Sequence, residues 1–366
     1  MAGKSKTGLA AVETDTRGSM KVGLFDHIAD GSRPLATLYD DRLTFFKAAD
    51  EAGLYCVHLA EHHCSPVNMA PVPGVFLGAL ARETKQIHIG TLVYLLTLIS
   101  PLRMAEEICM LDHLSRGRFE VGVGRGISPY ELSYHKVSPE TSREVFIDAY
   151  HCVREALLNE TFTYNGKHFQ YNDVPMPLRP LTLPHPAFWY GSSNATGSTF
   201  AGEQGMHFTA NGPSDLVKAN IRTFREALAK RGGAMQPKPE FRGGCAVGAL
   251  RYVVVGDTDA EAERIARPAV EHHLRSLHWL WRKHGHKDFA DRLRIPGQVG
   301  YEDLVAGGVM IAGSPSTVRE KIEAQSVDLD FNYLVGYMLF GDMALPDALR
   351  SLRLFSTEVM LKIAAL

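Results

Sequence analysis

From Met20 onward the chain alternates short β-rich runs with longer stretches of helical periodicity, and this alternation limits the fold more than any other feature. Strands separated by helices are joined by crossovers, so they run parallel in a sheet covered on both faces. The candidate strands are Lys21 to Phe25, Tyr55 to Ala60, Ile87 to Leu92, Arg118 to Val123, Ala187 to Gly191, His207 to Ala210, Gly248 to Val255 and Phe331 to Val335. Several lack period-two alternation, as strands buried on both faces should. About eight such units predict a single (β/α)8 barrel of the TIM type, occupying residues 20–366.

The helices carry their own punctuation. Ser100 can cap a helix in which Pro101 takes the first position, Leu102, Ala105 and Cys109 recur at helical spacing, and Gly117 supplies a left-handed stop. A final helix from about Pro346 to Leu361 places Leu349, Leu352, Phe355 and Val359 on one stripe against the barrel. Two segments break the rhythm. Phe162 to Met176 alternates around Asn165-Gly166 and predicts a small β-hairpin excursion. Lys283 to Gly308 mixes charges, glycines and Pro296, and reads as a mobile lid loop. Residues 1–19 are polar, lack the apolar core of a secretory signal, and read as a disordered N-terminal extension.

Charge narrows the function. A net charge of −2 over 366 residues, with no long basic run, offers no footprint for nucleic acid or an acidic membrane surface. The most apolar stretch, Ile87 to Leu102, contains His88, Gly90 and Pro101 and falls short of the roughly 20 residues a membrane-spanning helix needs. The five cysteines are scattered, without a Cys-x-x-Cys pair, so no disulfide framework or zinc site is indicated and a reducing cytoplasm fits. A small-molecule site is the remaining default.

In such a barrel the site belongs to the loops after the strands. The second strand ends in Glu61-His62-His63, and an imidazole that titrates near neutrality can move a proton there; equally, the three residues can simply hydrogen-bond the loop. No further ligands stand at metal-binding spacing. The fourth strand runs into Gly122-Val123-Gly124-Arg125-Gly126, read as a flexible turn that lets backbone approach an anion while Arg125 supplies a charged fork. It departs from the dinucleotide fingerprint at Ile127, and its glycines also suit an ordinary tight turn. After the fifth strand, Ser192-Ser193-Asn194-Ala195-Thr196-Gly197-Ser198 opens a helix whose first amides suit a phosphate, although plain capping by Asn194 explains the same residues.

Taken together, Ile89-Gly90-Thr91, the segment from Pro101 through Leu111-Asp112 to Ser115-Arg116-Gly117-Arg118-Phe119, Gly122 to Gly126, Glu61-His62-His63 and Ala312-Gly313-Ser314-Pro315 resemble the bacterial-luciferase-like flavin-dependent monooxygenases, in order from about Met20 to Ile363. The resemblance implies a cytoplasmic homodimer that uses reduced FMN as co-substrate, O2 and a separate NAD(P)H:flavin reductase to oxygenate a small organic substrate. By position, His62 would face the reactive edge of the flavin and Glu61 would support the strand end. Arg125, Ser193, Asn194, Ala195 and Gly197 would hold the FMN phosphate, and the Leu92-Val93 bond would be cis beneath the ring. Gly124 stands where light-emitting members carry a reactive cysteine, which speaks against luminescence. Two rivals stay open: a deazaflavin-dependent hydride-transfer enzyme of the same fold, and a non-catalytic flavin-binding protein. Candidate substrate contacts are His27, Tyr94, Tyr130 and Trp189, and candidate dimer contacts are Val75, Leu77 and Met104.

Overall fold

A computed structural model describes residues 20–285 and 300–363. The expectations for residues 1–19 and for residues 286–299 of the lid segment lie outside the described residues. The strands are β1 (Lys21–Asp26), β2 (Cys56–Leu59), β3 (His88–Thr91), β4 (Tyr94–Leu95), β5 (Phe119–Gly124), β6 (Thr161–Asn165), β7 (Gln170–Pro175), β8 (Phe188–Ser192), β9 (His207–Ala210), β10 (Val247–Val255), β11 (Met310–Gly313) and β12 (Tyr333–Tyr337). Strands β1, β2, β3, β5, β8, β9, β10 and β12 close into a ring in that order, every pair parallel. This is a (β/α)8 barrel. Each expected strand is a ring strand, with ends shifted by at most two residues.

Four local expectations change. Strand β11 is not among the eight expected strands; it pairs with Tyr252–Val255 of β10, while β9 pairs with Val247–Ala249. The excursion forms as the antiparallel pair β6–β7, but Asn165 lies in the strand opposite Gln170, and residues 166–169 make the turn. Asp148 explains the shift: its carboxylate accepts the amides of His168 and Phe169 and the Tyr164 hydroxyl, tying the turn to the helix Ser142–Leu158. Part of the supposed lid is ordered, as the helix Tyr301–Ala306, whose Tyr301 and Leu304 are buried. Ser100 flanks the helix Pro101–Ser115 without capping it, and its Oγ lies 3.2 Å from the Tyr171 hydroxyl. That helix ends with Arg116 left-handed at φ 58° and Gly117 at φ 81°.

The N-terminal end of the barrel is plugged by a buried polar cluster. Glu120 accepts the Trp189 indole N–H at 2.8 Å, lies 2.8 Å from His88 and is ion-paired with Lys238. Burial alone would raise its pKa, but Lys238 and then His88 hold the carboxyl well below the usual range. Trp189 is therefore a core residue and no substrate contact. Leu77 and Met104 are also fully buried inside the subunit, so neither can touch a second copy.

Candidate functional site

At the opposite, C-terminal mouth, the segment after β2 turns through Glu61, His62 and His63. Glu61 is buried and bridges two elements: one oxygen accepts the Leu95 amide at 2.9 Å and the other lies 2.9 Å from His63 Nε2. His62 faces the other way. Its Nδ1 lies 3.1 Å from Glu131 Oε1, on the short helix Pro129–Tyr134. Burial opposes the charged imidazole, but Glu131, and secondarily Glu61, outweigh it and raise the pKa above 6.5.

Glu131 escaped the sequence reading, although its signal was present. Ser128-Pro129-Tyr130-Glu131 has capping-box spacing, and the Ser128 hydroxyl accepts the Glu131 amide at 3.3 Å. In an ordinary capping box the glutamate folds back on its own helix; here it is turned to His62.

Between β3 and β4 the Leu92–Val93 peptide is cis. Gly90 pairs with Glu120 and Tyr94 with Val123, so the register against β5 shortens by one residue across this bond. The glycines of β5 make room for it. A Cβ on Gly122 would stand 1.9 Å from the Thr91 carbonyl oxygen, and one on Gly124 would stand 2.3 Å from Val93 Cγ2. The supposed flexible turn is thus mostly strand, with Gly122 explained by close backbone approach and Gly124 by the Val93 side chain, and only Gly126, at φ 82°, takes a left-handed conformation. On the far side, Gly191 of β8 presents no side chain toward Leu92 and Val93.

Arg125 follows β5 directly, with its guanidinium on Ser142 Oγ at 3.1 Å and its carbonyl accepting the Thr97 hydroxyl. Across the mouth, Asn194 caps the helix Ala195–Gln204, its side-chain oxygen accepting the Gly197 amide at 2.9 Å. In this structure the Gly197 N–H is engaged by the Asn194 side chain. The amides of Ala195 and Thr196 in the first turn have no intrahelical acceptor by construction of a helix. Tyr190 links the two sides: its ring lies 3.1 Å from where a Gly197 Cβ would sit, and the positive charges of Arg143 and Arg125 oppose the burial that raises its pKa. Ser193 lies half-buried at the same turn, and Asn194 and Ala195 are exposed.

Behind His62 the mouth deepens into a cluster of rings. The His27 ring centroid lies 5.4 Å from that of His62 and 5.1 Å from that of His273, on the helix Asp259–Leu277, and Tyr337 packs against both His27 and His273. His273 is far from His62 in sequence, and the barrel brings it to the other side of the His27 ring. A small cavity beside His62 is lined by Ser65, Val67, Ile127, Glu131 and Leu277 among others. Tyr94 does not reach it, because its hydroxyl is bonded to Glu107 at 2.7 Å. Tyr130 stacks on His284 at 4.1 Å at the outer edge.

A family model described as luciferase-like monooxygenase matches residues 20–332. An uncharacterized protein, y4wF, of Sinorhizobium fredii is 34% identical over 92% of this chain and 96% of its own length. The oxygenase component of a flavin-dependent trigonelline monooxygenase from Acinetobacter baylyi is 24% identical over 67% of each chain. Among solved structures, the monooxygenase RslO1 from Streptomyces bottropensis superposes with a TM-score of 0.82 at 22% identity, covering 94% of this chain and 100% of that one. The oxygenating constituent of 3,6-diketocamphane monooxygenase from Pseudomonas putida, solved with FMN, gives 0.76 at 23%, covering 94% and 98%. A coenzyme F420 dependent tetrahydromethanopterin reductase from Methanopyrus kandleri gives 0.69 at 18%, covering 94% and 99%. At these identities the structural likenesses speak to the fold.

Proposed function

The chain belongs to the luciferase-like monooxygenase family, and on that footing we propose that it is the oxygenase component of a two-component system, taking reduced FMN from a separate NAD(P)H:flavin reductase and using O2 to oxygenate a small organic substrate. The observation that carries this reading is His62 held by Glu131 at the barrel mouth, beside the cis Leu92–Val93 segment that Glu61 supports through Leu95.

The residues fit a flavin mononucleotide. Leu92, Val93 and the bare Gly191 make an apolar floor, and Arg125 with Ser193, Asn194 and the first amides of the helix Ala195–Gln204 offers a rim for one phosphate. Reduced flavin, when bound, supplies the two electrons that oxygen chemistry needs and no side chain can give. His62 does the rest of the proton work: with Nδ1–H donated to Glu131, Nε2 is left to accept a proton, or to give one once the ring is charged. Glu131 fixes the ring's tautomer, and the ring cluster behind it keeps water from the reacting face. Among the described residues no helix is long and apolar enough to cross a membrane. We place a homodimer contact on the helices Pro73–Glu83 and Pro101–Ser115, where Val75, Met110 and Leu114 are exposed.

The test is oxygen uptake and product formation with FMN and NADH, with and without an added flavin reductase, across a substrate panel. Product should form only with the reductase present. His62→Ala should keep FMN binding, lose most product and release more hydrogen peroxide for the oxygen consumed. Product without reductase overturns the two-component reading, and an unchanged yield in His62→Ala removes His62 from the chemistry. The deazaflavin reading, to which the F420-dependent neighbour lends a precedent of fold, expects substrate turnover with reduced deazaflavin and no oxygen uptake.

A further inference from the structure

The deepest part of the mouth holds polar atoms that the protein leaves unmatched. His27 Nδ1 and both ring nitrogens of His273 are buried without a hydrogen-bond partner among the described residues, and so is Glu131 Oε2. Buried polar groups in folded proteins are almost always paired with protein or ordered water, so three imidazole nitrogens in contacting rings with no protein partner are free to bond water or a bound molecule. They are not isolated. His273 stands one helical turn before Leu277, which lines the cavity beside His62, and His27 lies between His273 and His62.

We propose that His27 and His273 form the polar wall of a substrate chamber that takes a small uncharged molecule bearing a carbonyl or hydroxyl oxygen, and hold that oxygen beside His62. The proposal rests on the reading of His62 given above.

The surrounding charges decide between guests. Among the described residues, the ion pairs around the chamber are matched within themselves: Asp26 pairs with Arg42 at 2.7 Å, Glu131 with His62 at 3.1 Å, and Asp342 lies 3.5 Å from His272. Arg42 Nη2 also lacks a hydrogen bond, but Asp26 already balances that guanidinium. Burial holds both His27 and His273 well below the usual histidine range, the latter at about 3, so each is a neutral ring with one donor and one lone pair. A carboxylate would enter with no charge to meet it. A hydrocarbon would leave the three nitrogens unsatisfied. A ketone or alcohol oxygen accepts an imidazole N–H, and an alcohol can also donate to the facing lone pair. Phe25 packs on the His27 ring and Leu277 lines the cavity, which suits the apolar remainder of such a molecule, and the Tyr337 hydroxyl, buried without a hydrogen-bond partner among the described residues, adds a further polar atom to the same cluster.

Binding is measured calorimetrically on the full chain without reductant, in the presence and absence of oxidised FMN, so that no turnover occurs. The probes are cyclohexanone, cyclohexanol, methylcyclohexane and cyclohexanecarboxylate, with 2-decalone, 2-decalol, decalin and decalin-2-carboxylate as a larger set. On at least one scaffold the ketone or alcohol should bind at least about 10-fold tighter than the hydrocarbon and the carboxylate. His273→Phe should abolish that preference, and His273→Gln, which keeps a donor and an acceptor, should retain part of it and covers the case in which the phenylalanine variant misfolds. Preference for a hydrocarbon or carboxylate, a ketone preference that survives both His27→Phe and His273→Phe, or no binding on either scaffold overturns the proposal. Failure of turnover with a flavin reductase would sink the oxygenase reading while leaving these constants untouched, so the two failures are distinguishable.

Discussion

At the scale of single residues, His62 shows how a partner rather than a position sets chemistry. An imidazole that burial alone would keep neutral is held charged more readily by the Glu131 carboxylate, and its pKa in the folded protein lies above 6.5. A raised folded-state value means that the pairing stabilises fully below about pH 6.5 and that the contribution fades as pH rises through the folded pKa. Glu131→Gln should therefore lower stability by about 1.5–3 kcal/mol in mildly acidic buffer, the range for hydrogen bonds to charged groups, and by much less near pH 9. Thermal unfolding of both proteins across that pH range measures the difference. A gap that widens with rising pH contradicts the assignment. Glu61 adds a smaller push to the His62 pKa, while its two oxygens bond the Leu95 amide and His63.

At the scale of elements, two helix and strand ends carry the site. Asn194 serves the helix Ala195–Gln204 as a cap, and Asp is as good a cap as Asn. Asn194→Asp should leave the unfolding temperature unchanged or slightly raised, yet weaken FMN binding by about 10-fold or more through charge repulsion with the phosphate. Riboflavin, which lacks the phosphate, should be unaffected; equal loss of both flavins would remove the phosphate from this turn. Strand β5 makes a different point. Gly122→Ala drives a Cβ into the Thr91 backbone, which cannot step aside, and should cost at least about 1–3 kcal/mol in urea denaturation. Gly124→Ala meets only the Val93 side chain, so combining it with Val93→Ala should recover most of its own loss. Additive losses in that pair would show that Val93 is not what Gly124 accommodates.

At the scale of the whole molecule, the two ends of the barrel differ in how their polar groups are matched. The N-terminal end is closed by Glu120, Lys238, His88 and Trp189, a cluster with its charges matched, whereas the C-terminal end keeps unmatched nitrogens and a cavity. The outer surface adds a third feature: Val75 is 76% exposed, and Met110 and Leu114 are exposed on the next helix, which packs against the helix of Val75. Light scattering at micromolar concentration should give a dimer mass for the wild type and a monomer mass for Val75→Glu with Met110→Glu. A monomeric wild type ends the dimer proposal, and a dimer that survives both substitutions moves it to another face.

Local chain chemistry was enough for the order and place of the eight barrel strands, because strand and helix periodicities are written in neighbouring residues. The motifs Glu61-His62-His63, Gly122 to Gly126 and Ser192 to Ser198 were legible for the same reason, and all three lie at the mouth. What each residue touches was not legible. Trp189 and Tyr94 looked like pocket residues by type, yet a strand's alternation does not say which end or face of a closed barrel a side chain meets, and both turned to carboxylates away from the cavity. Glu131 and His273 lie 69 and 211 residues from His62 in sequence, and only closure of the ring, with helices folded over its mouth, sets the one at 3.1 Å and the other two rings away. The sequence by itself determined the barrel and the strand ends that matter; tertiary structure alone decided the partners, because contacts across a closed ring depend on register and tilt that no local pattern encodes.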